Sequence, residues 1–132
     1  MSQEKWLNNK KIENILDKEI RNNLEKYIEN MIRKEIDIIT INEKVYPKKL
    51  KEIYDAPICI YIKGNKEILN QNIIGIIGCR EASTYGIKAA KYFSYNLAKK
   101  GIVIVSGLAK GIDSFSHIGT IEANGKTIAV VG

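Results

Sequence analysis

Two cations stand in glycine-bearing loops that each follow a short apolar run. Arg80 lies in Gly78-Cys79-Arg80-Glu81-Ala82-Ser83, and Lys110 lies in Ser106-Gly107-Leu108-Ala109-Lys110-Gly111. A guanidinium can fork two N–H donors onto a phosphate, and an ammonium adds a mobile point charge. Glycines at 78, 107 and 111 would let backbone approach a ligand closely. Each loop runs into a segment of helical period, where free amides and the helix dipole attract anions. The chemistry these residues describe is an anion-binding rim, best matched to phosphate.

Other chemistries fit poorly. His117 is the single histidine and has no serine–aspartate constellation beside it. Ser106 lacks a G-x-S-x-G elbow and an evident base. Cys59 and Cys79 show no metal spacing, so they read as plain thiols and no metal site is expected. No G-x-G-x-x-G follows Ile77, and the second apolar run ends in Ser106-Gly107 rather than in an acid for a ribose hydroxyl. No G-x-x-x-x-G-K-[ST] occurs. These absences speak against a dehydrogenase and a P-loop NTPase, and no cofactor is expected.

The elements that must hold the loops follow from periodicity. Ile73–Ile77 and Ile102–Val105 are β-branched runs of the kind found in buried parallel strands. Between them Ala89, Ala90, Phe93 and Leu97 share one helical face, and Gly101 suits a left-handed C-cap. Ser83 or Thr84 is placed to cap that helix. Gly86, so early in a helix, is costly unless something approaches closely. A second helix runs from Ile112 to about Asn124, with Asp113 placed to stabilise its N-terminal dipole. A third apolar run is Thr127–Val131. The unit is β-α-β-α-β, a half-Rossmann pattern whose ligands bind outside the carboxyl ends of the strands. Both loops fall there.

Upstream, Asn9–Ile36 carries Ile12, Ile15, Leu16, Ile20, Leu24, Tyr27, Ile28, Met31 and Ile32 in steps of three and four. This predicts one amphipathic helix, or two with a break at Asn22-Asn23, with a core stripe under a solvated face. Asp37–Asn42 and Ile58–Ile62 read as strands that extend the sheet. Pro47 permits a helix to begin after Tyr46. The expected division is residues 1–36, a helical segment, and 37–132, an α/β domain.

The chain has 132 residues, 45% of them hydrophobic, and a net charge of +6. Residues 71–132 carry seven basic and three acidic residues, against fourteen and twelve before them. The α/β half is thus the more basic per residue, consistent with a polyanionic partner. No run is apolar enough to span a membrane and no secretion signal opens the chain, so a cytoplasmic protein is expected.

Tyr46-Pro47 with Leu50, Ile53, Asp55 and Pro57, then Tyr61-Ile62-Lys63-Gly64, IIGCREASTYG and IVSGLAKGIDSFSHIGTIEANGKTIAVVG resemble the DprA/Smf family of DNA-processing proteins. The most specific piece is S-G-L-A-K-G-I-D with His117 four residues on. The resemblance implies an extended Rossmann-like domain that binds single-stranded DNA without a nucleotide cofactor or catalysis, and helps load the RecA recombinase in natural transformation. It implies that Gly78, Cys79, Arg80, Ser83, Ser106, Gly107, Lys110 and Gly111 line a strand-end pocket for the DNA backbone. Cys79 stands where the family more often has serine, and Lys110 where it often has arginine. Family members continue beyond the position of Gly132 with further strands and helices. One edge of the sheet is therefore expected to be open in this chain, which predicts self-association. Two rival readings remain: a Rossmann-like nucleotide hydrolase of the phosphoribohydrolase kind, whose P-G-G-x-G-T-x-x-E motif is missing, and a fragment without function.

Overall fold

The β-branched runs after residue 72 become a three-stranded parallel sheet. A computed structural model describes the backbone of residues 18–132 and side chains from Asn22 onward. In chain order the elements are α1 (Lys18–Arg33), β1 (Ile36–Thr40), a single turn α2 (Lys48–Lys51), β2 (Cys59–Lys63), a 3₁₀ turn (Lys66–Asn70), β3 (Ile73–Gly75), α3 (Thr84–Lys99), β4 (Val103–Ser106), α4 (Ile112–Glu122) and β5 (Thr127–Ala129). They fall into two compact units, one holding α1, β1 and β2, the other residues 41–57 and 65–132. No helix among the described residues is long and apolar enough to cross a membrane.

In the first unit β1 and β2 pair antiparallel from Ile36 opposite Lys63 to Thr40 opposite Cys59. They form a sheet of their own and do not extend the parallel one. The two five-residue runs match rung for rung, so each satisfies the other's facing edge. Helix α1 passes unbroken through Asn22-Asn23, the first of the two alternatives. The flanking Lys, Glu, Leu and Arg are good helix formers and outweigh two asparagines. It ends where Glu35 turns to φ 56°. Leu24, Tyr27, Ile28 and Ile32, expected as a core stripe, are exposed among the described residues. Ile12, Ile15 and Leu16 lie outside those residues, and Ile20 outside the described side chains.

In the second unit the strand order is β3-β4-β5, with Ile74 beside Ile104 and Ile104 beside Thr127. Val103 and Ile104 are fully buried, as the central strand of a covered sheet requires. Pro47 opens the short α2, and the buried Tyr46 donates its hydroxyl to Pro57 O at 2.7 Å. Asn70 fastens that segment, accepting from Lys48 N–H at 2.9 Å and donating to Val45 O at 3.1 Å.

Helices α3 and α4 pack through small residues. Ala90, Ser94 and Ala98 of α3 are buried, as are Ser116, Gly119 and Thr120 of α4. A Cβ on Gly119 would collide with Ser94 Oγ and stand 2.6 Å from Lys91 O. Lys91 Nζ and Glu122 Oε1 pair at 2.7 Å across the same helix pair. The expected buried face of α3 is therefore rotated by one residue. Ala90 belongs to the contact, but Phe93 is 58% exposed. Small side chains win the close helix crossing, because only they let the two backbones approach. Ala89, Phe93 and Leu97 instead line an open groove of about 520 Å³ with Gly75, Ile76 and Ile77. Strand β3 is the outer strand on that side, and Ile77 beyond it is 80% exposed. Gly101 ends the segment with φ 77°, the left-handed turn its place after α3 requires.

Candidate functional site

Both glycine loops leave the carboxyl ends of neighbouring parallel strands, β3 and β4, so the topology sets them side by side. They do not merely adjoin. Ile112 N–H donates to Cys79 O at 3.2 Å, and Gly78 N–H donates to Asp113 Oδ1 at 3.3 Å. Gly111 has φ 82° and ψ −132°, a region closed to other residues. A Cβ there would collide with Cys79 O and lie 2.5 Å from Arg80 O. A Cβ on Gly78 would lie 2.6 Å from Ile112 Cγ1, and one on Gly107 would lie 2.9 Å from Asp113 Oδ2. The space these glycines leave open is filled by the opposite loop and by the first turn of α4. On their Cβ side, then, these glycines serve the packing of the two loops, while Gly78 and Gly107 stay exposed.

The two helix starts also differ. Helix α3 is capped by Ser83, whose Oγ accepts from Gly86 N–H at 3.1 Å, and its first turn holds no acid. Gly86 answers a close approach, since a Cβ there would meet Ile112 Cδ1 at 3.2 Å. At α4 three leading amides are already engaged: Ile112 to Cys79 O, Ser114 to Ala109 O and Phe115 to Gly111 O. Asp113, only 6% exposed, adds a carboxylate in that turn. The expected pair of anion-attracting helix starts is thus unequal: at α4 three amides are taken by Cys79 O, Ala109 O and Gly111 O and a carboxylate stands among them, whereas the first turn of α3 holds no acid.

Of the residues singled out from sequence, Gly78, Cys79, Arg80, Ser83, Gly107 and Lys110 are exposed along one rim. Among the described residues neither Arg80 nor Lys110 is held in an ion pair. Gly111 is half-buried in the clasp. Ser106 is buried, and its hydroxyl donates to Ile76 O at 2.7 Å, which ties β4 to β3 and turns the group away from the rim. Two residues of the rim were missed. Asp113 looked like a dipole partner, and its contact with the Gly78 amide is long-range and leaves no local pattern. Leu108 is exposed at φ 58°, a left-handed conformation that costs a leucine roughly 1–2 kcal/mol; no sequence signal marks it.

His117 serves the core. Thr127 spends its one proton on Ile104 O at 2.9 Å, so His117 Nδ1, 2.6 Å from Thr127 Oγ1, must be the donor of that bond. Nε2 is then the unprotonated nitrogen, buried with no hydrogen-bond partner. Burial pushes the imidazole below its usual pKa, opposed in part by the Asp113 carboxylate. Among the described residues no group of His, Cys, Asp and Glu could hold a metal ion.

The fold and site define a Rossmann-like α/β module with a cationic strand-end rim and no dinucleotide fingerprint. Residues 37–132 match the family described as DNA recombination-mediator protein A. The chain belongs to that family. It is 43% identical over 97 residues to DNA processing protein DprA of Bacillus subtilis, covering 73% of this chain and 33% of that protein. Protein Smf of Synechocystis is 34% identical over 128 residues, covering 94% of this chain and 32% of that one. The crystal structure of DNA processing protein A from Streptococcus pneumoniae superposes with a TM-score of 0.69 at 35% identity, covering 82% of this chain and 40% of that chain. DNA processing protein A from Helicobacter pylori, whose structure is described for its single-stranded DNA binding mode, gives a TM-score of 0.61 at 26% identity, covering 74% of this chain and 42% of that one. The chain spans about a third of the length of the curated relatives it matches.

Proposed function

We propose that this chain binds the backbone of single-stranded DNA along the rim formed by the Arg80 and Lys110 loops, as a DNA-processing protein of the cytoplasm. The observation that carries the reading is the pair of unengaged cations on two loops whose backbones are clasped together. Arg80 forks onto a phosphate, Lys110 neutralises a neighbouring one, and the α3 start capped by Ser83 adds amide dipoles. The Helicobacter pylori relative, with its single-stranded DNA binding mode, supports the same use of the fold. Binding is the whole of the chemistry: His117 is buried on Thr127 and Ser106 is bonded to Ile76, so neither is offered as acid, base or nucleophile. By the same resemblance the bound strand is handed to the RecA recombinase in natural transformation.

Fluorescence anisotropy with labelled single-stranded and duplex oligonucleotides at two salt concentrations tests the proposal. Single strands are expected to bind more tightly, with affinity falling as salt rises. Duplex preference or salt-independent binding overturns it, and hydrolysis of a nucleoside monophosphate would favour the phosphoribohydrolase reading.

A further inference from the structure

We infer that Asp113 is a positioning residue of the rim: its carboxylate draws the Arg80 loop onto the Lys110 loop and fixes the spacing of the two cations. The inference rests on the single-stranded DNA reading of the same site.

A carboxylate with 6% exposure, set beside loops that are to receive phosphates, opposes the binding it adjoins. It needs a compensating task. Capping is not that task, because Gly111 is the residue before α4 and no side chain caps the helix. Instead the carboxylate touches both loops. Oδ1 accepts from the Gly78 amide, 35 residues away in sequence, and Oδ2 lies where any side chain on Gly107 would have to stand. Its neighbour Ile112 completes the hold, with its amide on Cys79 O and its side chain filling the space beside Gly78 and Gly86.

The two cation-bearing backbones are therefore referred to one another through a single helical turn. Arg80 follows the anchored Gly78 and Cys79, and its own carbonyl lies against Gly111. Lys110 immediately precedes that glycine. The side chains remain free while the backbones are fixed, so less ordering is left to be done when a strand binds. A carboxylate that only steadied the helix dipole would alter stability and leave this spacing alone.

A double-mutant cycle with Arg80, read by anisotropy on a labelled oligo-dT strand, separates the two roles. Asp113→Ala is expected to weaken binding about fivefold to tenfold and to lower the salt slope by about one ion, as loss of one aligned phosphate contact would. In the Arg80→Ala background the same change is expected to cost nothing further. Asp113→Asn keeps an acceptor for the Gly78 amide and is expected to bind within about twofold of the parent. If Asp113→Ala does not fold, Gly107→Ala displaces the carboxylate and enters the same cycle. Losses that multiply with those of Arg80→Ala, or an Asp113→Ala chain that binds like the parent, overturn the inference alone. A parent chain that binds no single-stranded DNA removes the function and the inference together.

Discussion

Gly119→Ala is expected to destabilise the chain, although alanine is the better helix former. The added Cβ would collide with Ser94 Oγ and stand 2.6 Å from Lys91 O and 2.9 Å from Lys91 Cα. A hydroxyl can rotate away, but the two Lys91 atoms are backbone of α3 and cannot. Relief requires α3 and α4 to separate by a good fraction of an ångström, which loosens the contact of Ala90, Ser94 and Ala98 with α4. Overpacking of this kind costs about 1–3 kcal/mol, and a backbone obstacle places it near the upper end. Alanine returns about 1 kcal/mol of helix propensity. The net loss is about 2 kcal/mol, a fall in melting temperature on the order of 10 °C for a unit of this size. Thermal denaturation followed by circular dichroism reads it directly. Ser94→Ala in the same chain removes the nearest contact but not Lys91 O, so it is expected to restore only part of the loss. A Gly119→Ala chain that melts at or above the parent would refute the close helix crossing.

Arg80→Ala is expected to leave the melting temperature nearly unchanged and to weaken single-stranded DNA binding about tenfold, with Arg80→Lys restoring part; a large fall in melting temperature with unchanged binding would make the residue structural. His117 ties stability to pH. Above its ordinary value of about 6.5 the imidazole is neutral in both states and the fold is at full strength. As pH falls below that value the unfolded chain takes up a proton that the folded chain resists, so stability is lost until the lower folded-state pKa is passed. Melting temperatures between pH 7 and 5.5 are expected to fall, and His117→Asn to flatten the decline; a level profile for the parent would exclude the buried neutral histidine. Gly111→Ala meets both a left-handed backbone and the Cys79 carbonyl, so a loss of at least about 1–3 kcal/mol is expected, with faster amide exchange at Gly78 and Ile112 by NMR.

The parallel sheet and its crossover helices could be read from the sequence because their signals are local. Ile73–Ile77, interrupted only by Gly75, and Ile102–Val105 are isoleucine- and valine-rich runs, Ser83 is a capping residue in the capping position, and Gly101 closes α3 as its place suggested. What the sequence hid depends on contacts between distant residues. The one-residue rotation of α3 is decided by Gly119 against Ser94, and helical period alone favours the larger Phe93 and Leu97. The pairing of β1 with β2 as a separate sheet is a choice of partner that neither run contains. At the rim, the right residue types were visible, but glycine reads the same whether a ligand or a neighbouring loop occupies the space it leaves. Asp113 and Leu108 show how a site's framework stays hidden: one acts across 35 positions, and the other is marked only by a backbone angle.

The clasp also sets what can be inherited or transplanted. Gly78, Gly111, Ile112 and Asp113 answer one another atom for atom, so none can drift alone: a larger residue at 78 asks for a smaller one at 112, and a shift at 113 frees the loop that carries Arg80. The two loops and the turn between them behave as a single module with one shared tolerance. Moving the cationic rim onto another parallel sheet would therefore require the whole span from Gly78 to Asp113, and a graft of either loop by itself would arrive without its counterpart.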